Sequence, residues 1–119
     1  MSIQALWTAV FADTADTAHF AGVIVLRNGH VYGGDNNYHY QGHYRETEGR
    51  LEVTLSGTHF HGGRNHIGGD RDAFTLEVAG TADEQAMDLA GHLDDEPGTG
   101  VTLHLRRAAE LPEVGPSTV

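Results

Sequence analysis

From Leu51 onward, apolar and polar residues trade places in four successive runs. Leu51, Val53 and Leu55 oppose Arg50, Glu52 and Thr54; Phe74, Leu76 and Val78 oppose Thr75 and Glu77. Met87, Leu89 and Leu93 oppose Asp88, His92 and Asp94, and Val101, Leu103 and Leu105 oppose Thr102, His104 and Arg106. A strand turns successive side chains to opposite faces, whereas a helix returns to one face every ~3.6 residues, so a period of two demands strands. With one face apolar and the other polar, these strands are half-buried and antiparallel.

The first half of the chain obeys the same rule less strictly. "LWTAVFA" (6 to 12) and "FAGVIVL" (20 to 26) carry apolar residues on both faces, which predicts a cover on the outer face as well. Turn chemistry punctuates the chain at "DTADTA" after the first strand, "NG" at 28 to 29, "GGDNN" at 33 to 37, "TEG" at 47 to 49, "TADE" at 81 to 84 and "DDEPGTG" at 94 to 100. Gly57 to Arg71 is the one long connection. About eight strands result, each linked to the next. No segment reads as a helix, because Met87, Leu89, Gly91 and Leu93 keep a period of two through the best helix-forming stretch.

Glycine then narrows the architecture. The chain has 16, and Gly22, Gly42, Gly57, Gly80 and Gly91 fall inside strands on the parity of the apolar or aromatic face. Glycine weakens a strand unless a sharp bend is needed, and inward glycines let strands coil tightly enough to close. The predicted fold is all-β: an eight-stranded antiparallel up-and-down barrel of the lipocalin or calycin kind over residues 1–108, with a polar tail over 109–119. A β-sandwich is the competing architecture.

Charge limits the partners. Seventeen Asp and Glu against seven Lys and Arg give a formal net charge of -10 with no basic run, which argues against direct nucleic-acid binding and against an anionic membrane surface. The first twenty residues do not read as a secretory signal, and no apolar stretch approaches the ~20 residues that span a bilayer. With no cysteine there is no disulfide framework and no thiolate chemistry, consistent with a cytoplasmic location.

The segment "FAGVIVLRNGHVYGGDNNYHYQGHY" (20 to 44) places Gly22, an apolar strand, the Asn28-Gly29 hairpin, the Gly33-Gly34-Asp35 triplet and Tyr40-Gln41-Gly42 in one order. In this it resembles the GrlR-like negative regulators of type III secretion, and the likeness continues more weakly through "RLEVTLSG", "FTLEVAG", "LAGHL" and "AAELP". The resemblance implies a bacterial cytoplasmic lipocalin-like barrel that pairs as a homodimer and sequesters a helix-turn-helix transcriptional activator by protein contact. The family's acidic loop after the Tyr-Gln-Gly strand corresponds here to "RETEGR", in which Glu46 and Glu48 keep two acids and become the expected partner-facing residues.

Other candidate sites follow from side-chain placement. "GGD" at 33 to 35 matches part of a cyclic-dinucleotide synthase signature, but Asn36 and Asn37 do not continue it, and a glycine-rich turn closed by its own aspartate explains the triplet. Tyr38, Tyr40 and Tyr44 share one strand face while His39 and His43 share the other. With the tyrosines inward, Trp7, Phe11, Ile24, Leu26, Tyr38, Tyr40 and Tyr44 line a lumen that either packs solid or holds a small apolar or aromatic ligand. His59 and His61, two apart, share a strand face; with His66, and Asp70 behind it, they form the one zinc-type alternative, set against a reading in which the histidines are solvated and no metal binds. No cofactor is expected. No nucleophile elbow or phosphate-cradling loop is present, so the chain reads as a binding protein and not as an enzyme.

Overall fold

The period of two emerges as eight strands: β1 (Ala5–Asp13), β2 (His19–Arg27), β3 (His30–Gly34), β4 (Tyr38–Thr47), β5 (Arg50–His59), β6 (Ala73–Thr81), β7 (Ala86–Leu93) and β8 (Gly100–Ala109). The computed structural model describes residues 2–13 and 19–112; most of the "DTADTA" turn and the end of the polar tail lie outside the described residues. Each strand pairs antiparallel with the next, and β8 returns to β1, so the sheet closes into an up-and-down barrel in chain order. Among the described residues no helix is long and apolar enough to cross a membrane.

Turn chemistry sets the register. Asn28 and Gly29 both take positive φ (51° and 81°), as do Glu48 and Gly49 (52° and 80°), and two such residues in succession give the tight hairpin whose twist matches its strands. The first turn pairs Arg27 with His30 and the second pairs Thr47 with Arg50. The long connection is shorter than the sequence suggests: β5 runs through Gly57 to His59, leaving residues 60–72.

Inward residues fill the interior, with Trp7, Phe11, Tyr38, Ile24, Leu26 and leucines of β5 to β8 fully buried. At Gly33, Gly42 and Gly91 the backbones approach so closely that only glycine fits. A Cβ on Gly91 would overlap the carbonyl oxygen of Glu77, and one on Gly42 would overlap that of Thr54. The strands bend into their neighbours there, which is the coiling a closed eight-stranded barrel needs.

One end of the barrel is closed by its own first residues. Trp7 Nε1 donates to the Ile3 carbonyl (2.9 Å), and the Arg107 guanidinium lies 5.9 Å from the Trp7 ring centroid while donating to the carbonyls of Ser2 and Glu84. The outer cover expected over β1 and β2 is not supplied by the described residues. Val23 is 43% exposed and Tyr32 51% exposed, so the second apolar face meets solvent.

Gly91→Ala and Gly42→Ala are each expected to destabilise the fold by about 3 kcal/mol in urea titrations, because the neighbouring backbone must move. Gly63→Ala, where an added Cβ meets nothing within 4 Å, should change stability little. Equal effects at all three positions would contradict the close-approach explanation.

Candidate functional site

Asp35 organises the open end of the barrel from a turn. Its Oδ1 accepts the backbone N–H groups of Asn37 (2.8 Å) and Tyr38 (2.7 Å), the local bonding that lets a short aspartate replace a strand ladder between β3 and β4. Its other oxygen points inward, where the Tyr40 hydroxyl donates to it at 2.5 Å. Period-two alternation puts Tyr38 and Tyr40 on the inner face of β4, and both are buried.

The long loop supplies the third member. His66, with a side chain only 1% exposed, inserts into the barrel end and brings Nε2 within 2.7 Å of the Tyr40 hydroxyl and 3.2 Å of Asp35 Oδ2. Its other nitrogen, Nδ1, faces the Ile67 backbone N–H at 2.8 Å. A backbone N–H only donates, so Nδ1 is the acceptor and Nε2 carries the proton that points at Tyr40 and Asp35. Aromatic rings surround the imidazole. Phe20 and Phe74 stack on it (centroids 4.9 and 4.7 Å, planes 20° and 28°), and Phe11 and Tyr38 meet it edge-on at 4.9 and 5.1 Å.

The rest of the loop is clamped separately. The Tyr38 hydroxyl donates to the Arg71 carbonyl (2.5 Å), and the Arg71 guanidinium reaches across to Asp95 (2.7 Å) and Glu96 (2.6 Å) in the β7–β8 connection. The Asn37 carbonyl accepts the N–H of Phe60 and the Asn37 amide donates to the His61 carbonyl. Arg64 pairs with Asp72 within the loop.

Burial controls the protonation states. It pushes the His66 imidazole down to about 4, only partly opposed by the adjacent Asp35 carboxylate, so the ring is neutral at physiological pH. Burial alone would raise Asp35, but the Tyr40 hydroxyl and the amides of Asn37 and Tyr38 outweigh it and hold the carboxyl below its usual range. Burial, and then the bond to Asp35, raises the Tyr40 phenol far above its usual value. The cluster is therefore one anion, one neutral phenol and one neutral imidazole.

The sequence-derived lumen residues Trp7, Phe11, Ile24, Leu26, Tyr38 and Tyr40 are all buried in the interior, and Tyr44 is half-buried against it. The three histidines of the zinc-type alternative are not brought together. His59 ends β5 with Nε2 on the Gly62 carbonyl (2.8 Å), His61 is exposed beyond the strand, Asp70 is exposed on the loop, and both nitrogens of His66 are engaged inside the barrel. Among the described residues no three His, Asp or Glu side chains converge as metal ligands. Glu46 and Glu48 are exposed at the opposite end of the barrel, around the β4–β5 turn.

A second feature lies on the outer wall. The outward positions of β8 (Thr102, His104, Arg106), β1 (Leu6, Thr8, Val10), β2 (Ala21, Val23, Val25, Arg27), β3 (His30, Tyr32) and β4 (His39, Gln41, His43, Arg45) include no acid. The acids of the wall are on β5 to β7, as Glu52, Glu77 and Asp88. The two walls are stitched at their borders by Arg45 with Glu52 (2.9 Å) and His104 with Asp88 (2.7 Å). A groove of about 640 Å³ over β4 to β7 lies beside the first of these pairs, away from the His66 cluster.

A histidine whose folded value lies below its unfolded value near 6.5 lets the unfolded chain take up a proton first. Its stabilisation is complete above that value and is lost as pH falls toward about 4. A second proton would have to sit on Nδ1 against the Ile67 N–H, so the native contact cannot accommodate it. Urea titrations should show the wild type about 2 kcal/mol less stable at pH 5.0 than at pH 7.5, with this loss absent from His66→Gln. A flat wild-type profile would contradict a neutral, buried His66. No protein-family profile matches the chain, and a search of curated proteins returns no match to it.

Proposed function

We propose that this barrel is a non-enzymatic, cytoplasmic regulatory protein that acts by protein contact, as its resemblance to the GrlR-like negative regulators implies. The acid-free wall is its pairing face. A molecule with a net charge of -10 repels its own copies wherever carboxylates meet. Only across β8, β1, β2, β3 and β4 can two copies approach without opposing acids, and there the centre is apolar, with Val23 and Tyr32 exposed.

Pairing through this wall leaves the Glu46–Glu48 turn free for a basic, helix-turn-helix activator, the class of partner the resemblance implies. A second reading, a carrier of a small aromatic molecule in the lumen, is favoured by one observation: the ring of aromatic side chains around His66.

Sedimentation velocity tests the pairing face. The wild type should run as a dimer at micromolar concentration, and Val23→Glu/Tyr32→Glu as a folded monomer. A monomeric wild type, or a double variant that still dimerises, would remove the wall from the account.

A further inference from the structure

His66 is the one buried polar residue among the described residues, and it is delivered by a loop. What it meets belongs to the barrel itself: Phe11 on β1, Phe20 on β2, Tyr40 on β4, Phe74 on β6, and Asp35 in the β3–β4 turn. The strands therefore hold the cage, and the loop contributes the imidazole and the Ile67 N–H.

The cage is selective in its chemistry. Stacked phenyl rings accept a flat aromatic ring, the anionic Asp35 with the Tyr40 oxygen accepts a ring N–H, and the Ile67 N–H needs a lone pair on the ring's other side. A saturated or purely hydrocarbon group leaves those polar atoms unmatched. There is also an approach to it: a groove of about 380 Å³ outside β2 and β3 is lined by Phe20, Asp35, Asn37 and Asn65, so two cage residues face it directly.

We propose that this cage is a binding site for a small planar heteroaromatic molecule with a ring N–H and a ring lone pair, and that His66 is the chain's own occupant, a stopper the ligand displaces. The loop need not unfold for the stopper to leave. Its clamps to Tyr38, Asp95, Glu96 and Asn37 do not involve the imidazole. The cage residues themselves face inward, away from the acid-free wall, while the approach groove shares Ala21 and Val23 with that wall.

Cavity complementation tests it, with imidazole as the probe at pH 8.5, where imidazole is mostly neutral. The melting temperature of His66→Gly should rise saturably with imidazole and respond weakly to benzene. In Asp35→Asn/His66→Gly the imidazole affinity should fall at least about tenfold, since a charged acceptor is lost. If His66→Gly does not fold alone, refolding yield with each probe replaces melting temperature as the readout. Benzene acting as well as imidazole, imidazole acting on neither variant, or equal imidazole affinity with Asn at position 35 would each overturn the proposal.

Discussion

A closed barrel has two open ends, and its interior stays dry only if both are stoppered. Eight strands leave a lumen just wide enough for side chains, so the walls solve the packing along the barrel but not at its mouths. At one mouth the stopper is Trp7, tied to Ile3 and covered by Arg107. At the other it is the 60–72 loop, which commits a polar ring to the interior. That ring is tolerable only because every polar atom near it is matched: Asp35 takes donors from two amides and a phenol, and the imidazole gives at one nitrogen and accepts at the other.

The two mouths differ in what they can do. The Trp7 end is held by apolar packing and backbone carbonyls. The His66 end couples an anion, a phenol and an imidazole, so its closure depends on the imidazole staying neutral. Outside, the charge is divided by strand and not spread evenly. Among outward positions the acids occupy β5 to β7, whereas those of β8, β1, β2, β3 and β4 present an apolar centre bordered by arginine and histidine. The binding role we propose rests on these two places, one for another protein and one for a small ring.

Much of this was legible in the chain and some was not. Alternation from Leu51 onward defines the later strands, and inward Gly42 and Gly91 signal closure because backbone contact there excludes a side chain. Tyr38 and Tyr40 share a parity, so their inward placement could be read directly, as could the Asp35 turn. His66 could not. It lies in a loop between glycine pairs, where no period constrains direction, and its partners are set by tertiary contact. The one signal was Ile67 beside it, which with Phe60 is one of two strongly apolar residues in an otherwise polar loop. The doubly apolar β1 and β2 were readable as faces in want of cover, but the described residues do not supply it.

His66 closes its end of the barrel as a neutral ring whose Nε2 carries its proton toward Asp35 and Tyr40. Long-range proton–nitrogen correlation spectra of the histidine rings at pH 7 test this most directly. The expected result is a His66 ring locked as the Nε2–H tautomer and unchanged down to pH 5. A His66 ring that takes up a second proton above pH 5, or that carries its proton on Nδ1, would contradict it.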